Sequence, residues 1–91
     1  MNQNRNNLIV VDFDSTRLNI NYVRYAIQSQ EKFIKGFFHG TCQQFINTRD
    51  LNRLFQYDSN LIKFRSTKKD EDLRGKLCFN RIGKFGVEIY E

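Results

Sequence analysis

The sequence has no proline and no tryptophan among its 91 residues, and only one histidine, one methionine, two cysteines and five glycines. Without proline, the turns fall to glycine, asparagine, aspartate and serine, and are read from those residues. The lone histidine, His39, excludes a histidine-rich metal centre. Two cysteines, Cys42 and Cys78, make no disulfide framework, and their spacing suggests no metal site. No apolar run approaches the roughly 20 residues that a membrane span needs. The N-terminal MNQNRNN has no apolar segment of the kind a secretion signal carries. The expectation is a cytoplasmic protein with no membrane association, its cysteines held as reduced thiols in or near the core. Neither G-x-G-x-x-G nor a Walker-type loop is present, so no nucleotide cofactor is expected, and no other cofactor or metal.

What is present is an apolar fraction of 40% weighted toward rings, nine Phe and four Tyr, and a net charge of +5. Rings favour a small core, because each buried one removes about 150–250 Å² from water. The length predicts a single domain, 1–91, with the polar stretch Met1 to Asn7 frayed or disordered. The positive charge favours an anionic partner, either nucleic acid or the acidic face of a protein.

Along the chain, Leu8 to Phe13 reads as a strand that ends in an acidic turn at Asp12, Asp14 and Ser15. Leu18, Ile20 and Tyr22 alternate with polar residues, and Val23, Tyr25 and Ile27 alternate on the opposite parity. This predicts a long strand, Arg17 to Gln28, with a bulge near Tyr22–Val23. Two more strands are expected at Phe33–Phe38 and Thr41–Ile46, with Gly40 at the bend between them. Asn47 to Tyr57 is the one predicted helix. Asn47 serves as N-cap, Asp50 sits in the first turn, and Leu51, Leu54 and Phe55 form the buried stripe, with Arg49, Asn52, Arg53 and Gln56 facing away. Leu61–Phe64, Leu73–Phe79 and Phe85–Ile89 complete the strands. A charged loop, Ser66 to Asp72, follows the first of them, and a turn at Asn80–Gly83 joins the last two. The predicted class is α+β: an antiparallel meander of five to six strands with one helix packed on one face.

Three constellations could carry chemistry. The segment VVDFDST, Val10 to Thr16, resembles the first motif of haloacid-dehalogenase-type phosphatases, in which the first Asp is the nucleophile and the second a general acid. By that resemblance Asp12 and Asp14 take those roles, with Thr16 at the small hydroxyl position. The family needs a far larger parallel sheet, a later Lys and a later acidic pair, and here the strand period continues past Thr16. An acidic turn after a strand is the simpler reading. His39 and Cys42 in HGTC could form a dyad or a metal pair, but two ligands are too few for a metal and no oxyanion hole is evident. A surface histidine and a strand cysteine account for them. The third constellation is basic. Lys63, Arg65, Lys68 and Lys69 cluster, Arg74, Lys76, Arg81 and Lys84 follow, and Phe64, Phe79 and Phe85 lie among them. Nucleic-acid-binding sheets use such a mixture. Here, however, the rings fall on the alternating apolar face and the cations mostly on the other, and Asp70, Glu71 and Asp72 interrupt the run.

The order of the second half carries a family resemblance. A strand with FFHG (Phe37–Gly40) leads through QQFI (Gln43–Ile46) into the helix NTRDLNRLF (Asn47–Phe55), and the chain closes with GKLCFNRIGKFGVEIYE (Gly75–Glu91). This pattern is similar to small immunity proteins of bacterial polymorphic toxin and contact-dependent inhibition systems, in particular the WapI-like group, over roughly Leu18 to Tyr90. The resemblance implies a non-enzymatic protein that neutralises a cognate toxin by binding it. A basic inhibitor suits a toxin with an acidic binding face. The residues expected to bind that partner are Lys63, Arg65, Lys68 and Lys69, with Arg53 as a neighbour. Two other readings stay open: a small basic nucleic-acid-binding regulator, and a phage-encoded inhibitor of a host defence complex.

Overall fold

The computed structural model describes residues 7–40 and 44–91. The strand read at the N-terminus is there. LIVVDF, apolar over its first four residues and β-branched at Ile9, Val10 and Val11, forms β1, Leu8–Phe13. With β3 it is one of the two inner strands of a four-stranded antiparallel sheet completed by β2, Ile62–Ser66, β3, Leu77–Asn80, and β4, Glu88–Ile89, in the order β2-β1-β3-β4. The register sets Val11 against both Phe64 and Leu77, and Val10 against both Arg65 and Cys78. Asn7, expected to be frayed, is tied down by its carbonyl, which accepts from the Arg81 N–H at 2.5 Å. The expectation for 1–6 lies outside the described residues.

The α+β class and the antiparallel sheet match the reading of the sequence, but the described residues hold four strands and three helices, not five or six strands and one helix. The predicted strand Arg17–Gln28 is a helix, α1, Ile20–Gln28. Ile20, Val23 and Ile27 recur at helical spacing, and Val23 and Ile27 are fully buried, so the parity change at Tyr22–Val23 marks a turn of helix and not a bulge. Asn19 caps it, its Oδ1 accepting from the Asn21 N–H at 2.8 Å. The predicted strand Phe33–Phe38 is also replaced by a short helix, α2, Glu31–Lys35, which buries Ile34. Of the predicted strand Thr41–Ile46, the part 41–43 lies outside the described residues. Phe45 makes only isolated bridges, to His39 and Ile82. The expected helix is α3, Thr48–Leu54, followed by a 3₁₀ turn at Gln56–Asp58. Asn47 stands at its N-cap position, but its side chain makes no capping hydrogen bond.

All three helices pack on one face of the sheet. Val23 and Ile27 of α1, Ile34 of α2, and Leu51 with Phe55 at the end of α3 meet Ile9, Val11, Ile62, Phe64, Leu77, Phe79 and Val87 in the main core. Four rings run through it: Phe55 to Phe64 at 5.1 Å, Phe64 to Phe79 at 6.2 Å and Phe79 to Phe85 at 5.3 Å. Among the described residues no helix covers the other face. There the segment after β2 crosses the sheet and sets Leu73 on Leu8, Val10 and Cys78, a second and smaller cluster against which Tyr90 packs. β1 is thus apolar on both sides, with Leu8, Ile9, Val10 and Val11 all buried.

Candidate functional site

The helix-free face of the sheet carries the residues on which the sequence reading converges. Alternation along β2 sends Ile62 and Phe64 into the main core and Lys63 and Arg65 to the opposite face. Lys63 lies across from Asp12 in the register, and Arg65 across from Val10. Arg65 is the centre of an ion network. Its Nε donates to Asp12 Oδ2 at 2.5 Å, its Nη1 donates to Glu71 Oε1 at 2.8 Å, and its Nη2 donates to Glu71 Oε2. Lys76 Nζ approaches the other Asp12 oxygen at 4.0 Å. The forked contact from Arg65 holds the Glu71 carboxyl well below its ordinary range, at about 2. The two carboxylates in turn raise the Arg65 pKa further above its ordinary value, Glu71 more than Asp12.

The network folds a loop onto the sheet. Asp70 takes a left-handed φ of 67°, which aspartate tolerates better than most residues. Glu71 Oε1 also accepts from the Lys68 N–H at 3.1 Å. Glu71 therefore fastens both ends of the stretch between Arg65 and itself. Lys68 and Lys69 stand exposed on that loop, and Lys63 stands exposed on the strand. Among the described residues none of the three has a carboxylate within ion-pair distance.

Of the five partner-binding residues predicted from sequence, four share this face or its loop, but Arg65 has a different task. Its guanidinium is engaged by its own chain, so it positions the loop and is not a free contact. Arg53 is exposed in the last turn of α3, on the helix layer. Asn52, expected to face away from the core, instead reaches β2. Its Nδ2 donates to the Phe64 carbonyl and its Oδ1 accepts from the Phe64 N–H, both at 2.9 Å.

The constellations that suggested chemistry are committed elsewhere. A helix does follow the D-x-D turn, contrary to the expected continuing strand, so β1, the acidic turn and α1 share the order of the phosphatase motif. However, both neighbours of β1 are antiparallel to it. Asp12 is bound by Arg65. Asp14 Oδ1 accepts from the Thr16 N–H at 3.0 Å and from the Thr16 hydroxyl at 2.5 Å, which lowers its pKa and closes the turn. His39 is exposed, with Nε2 3.4 Å from Asp50 Oδ2 and its ring 5.9 Å from that of Phe45. Cys42 lies outside the described residues. Cys78 is a free, buried thiol pushed up to about 11, chiefly by burial, and is not activated as a nucleophile. Among the described residues no group of three or more His, Cys, Asp or Glu side chains is placed to hold a metal ion, and no helix is long and apolar enough to cross a membrane. An open depression of about 840 Å³ lies between α2 and the β3–β4 turn, floored by Phe38, Ile82 and Phe85, but its Glu31 and Lys35 are paired with each other at 2.8 Å.

One feature of the surface was not expected. With α1 a helix, Tyr22 and Tyr25 point outward, and Phe33 on α2 is exposed as well. The i, i+3, i+4, i+7 spacing of Ile20, Val23, Arg24 and Ile27 is the signal that could have placed them. Comparison of the chain with family models, with curated proteins and with solved structures finds no match.

Proposed function

We propose that the protein is a non-enzymatic inhibitor of the immunity type, which binds an acidic face of a cognate bacterial toxin through Lys63, Lys68 and Lys69. The observation that carries this reading is the state of those three cations. Among the described residues no carboxylate pairs with them, they stand on one side of a sheet, and the loop that bears two of them is held by Glu71 and Arg65. A partner that meets a loop already in place loses less conformational entropy on binding. Unpaired cations steer association with an acidic surface. The rings that a nucleic acid would stack on are withdrawn: Phe64 and Phe79 are buried in the main core, and Phe85 packs against it. A phage-encoded inhibitor of a defence complex would use the same surface, and the neighbouring gene separates the two.

The test is association kinetics with the product of the adjoining toxin gene. Reversing Lys63, Lys68 and Lys69 to Glu should slow association about tenfold or more at low salt and flatten its salt dependence, with dissociation less affected. An unchanged association rate refutes the assignment. A salt series on non-specific duplex DNA tests the other reading, since phosphate contacts give a linear fall of log affinity with log salt.

A further inference from the structure

The depression of about 840 Å³ between α2 and the β3–β4 turn has walls fixed by hydrogen bonds. On one side Glu31 and Lys35, the first and last residues of α2, are paired with each other, and the Phe38 N–H donates to the Lys35 carbonyl at 3.2 Å. On the other side Ile82 bridges to Phe45, and the Gly83 N–H donates to the Gln44 carbonyl at 3.1 Å. Gly83 has a φ of 97°, which glycine adopts without strain, and Lys84 follows it at the rim. On the floor, Phe38, Ile82 and Phe85 are each only half-buried. Phe85 is braced by the buried ring of Phe79, with ring centres 5.3 Å apart. An apolar floor is thus held open to water between two tied walls, in a volume within the range of small-ligand pockets.

We propose that this depression binds a small aromatic carboxylate, its ring over Phe38, Ile82 and Phe85 and its carboxylate on the Lys84 ammonium. Charge selects the ligand. Three charged residues line the depression, and two of them, Glu31 and Lys35, neutralise each other at 2.8 Å. Among the described residues no carboxylate lies within ion-pair distance of Lys84. The one uncommitted charge is therefore a cation. A cationic ligand would meet it and find no free carboxylate. A neutral apolar ligand would desolvate it and offer nothing in return. A polyanion binds by several phosphate contacts and has no use for an apolar floor. A single anionic group on an apolar body meets both halves of the site, and two phenylalanine rings favour an aromatic body through edge-to-face or offset contacts. The inference does not rest on the toxin-binding reading, because Lys63, Lys68 and Lys69 are not among the lining residues.

Titration of the full, nitrogen-15-labelled chain with 3-phenylpropanoate, followed through the backbone amide shifts, tests it. The expected result is saturable movement of Gly83, Lys84, Phe85 and Phe38, with a dissociation constant on the order of 1 mM at low salt. The neutral 3-phenylpropanamide should bind at least about fivefold more weakly, because it lacks the charge-assisted contact. Propanoate, which lacks the ring, should not saturate. Lys84→Gln changes an exposed side chain, so the circular dichroism spectrum should be unaltered. It should weaken the carboxylate to the level of the amide while leaving the amide where it was. Lys32→Gln removes an exposed cation of α2 that does not line the depression, and should change neither. No saturation by about 20 mM phenylpropanoate would overturn the proposal. So would equal affinity for carboxylate and amide, shifts centred on Lys63, Lys68 and Lys69, or a Lys84→Gln variant that binds the carboxylate as the parent chain does.

Discussion

At Asn52 one carboxamide occupies both backbone groups of Phe64, donating to the carbonyl and accepting from the N–H at 2.9 Å each. β2 is an edge strand, and an open edge is a template for pairing with another chain. The carboxamide has the donor and acceptor of a peptide unit, so it continues the sheet by one rung and stops there. On the far side of the sheet Arg24 plays a comparable part, capping the Val87 carbonyl just before β4. Asn52→Ala leaves the N–H and the carbonyl of a buried residue without protein partners and should cost about 2–3 kcal/mol in urea unfolding. Asn52→Asp keeps the acceptor, loses the donor and should fall between. A loss below about 0.5 kcal/mol for the alanine variant, the usual limit for a surface change, would mean that water takes over both bonds. Nothing in the local sequence marks this residue. Asn52 lies on the polar side of the helical pattern, and only the placement of α3 against the edge of β2 turns it into a cap.

The Glu71 side chain ties the loop 67–72 to Arg65 and to the Lys68 N–H, and that tie can be read through pH. Glu71 titrates near 2 in the folded protein against an ordinary 4.5, and the first cause is its contact with Arg65. A depressed carboxylate contributes stability that is complete above its unfolded value and is lost as pH falls through its folded value. The contribution of Glu71 should therefore be full above about pH 4.5 and should fade toward pH 2. Glu71→Gln should cost about 1–2 kcal/mol at neutral pH, flatten that part of the pH profile, and raise proteolytic cleavage within 67–72. An unaltered profile would show that the bridge adds nothing to the fold. The charged loop was legible from STKKDED, and the exposure of Lys63, Lys68 and Lys69 followed from alternation and composition. The capture of Arg65 was not legible, because it needs the β1–β2 register and the fold-back at Asp70 together. α1 was misread for a related reason. Ile, Tyr and Val are strand formers by propensity, and with both tyrosines counted as core the pattern fits a broken alternation. Counted as exposed, they leave Ile20, Val23 and Ile27, a helical stripe whose burial outweighs the propensity of its residues.

At the scale of the whole chain, the sheet is built from strands far apart in sequence. β1 pairs with both β2 and β3, β3 pairs with β4, and the consecutive strands β2 and β3 do not meet because β1 lies between them. Among the described residues three α-helices lie between β1 and β2. The fold class could still be inferred, because strands and helices of either number must bury one apolar face against another. The strand order could not, because local alternation carries no information on which strands meet. This topology sets where stability resides. β1 has partners on both sides and buried residues on both faces, so its pairing cannot open without exposing the main core and the Leu73 cluster together. Hydrogen exchange should therefore be slowest at the β1 amides of Ile9, Val10 and Val11, with an opening free energy equal to that of global unfolding. The α2 amides, in a helix of five residues with a single buried side chain, should exchange through local opening at several kcal/mol less. Leu73→Ala should lower the protection of β1 and of the rest of the sheet by the same amount, about 2–3 kcal/mol, because removing a buried leucine from one face of a shared strand weakens the whole. If β1 protection survives that substitution while the loop alone loses it, the two apolar clusters unfold separately and β1 does not join them into one cooperative unit.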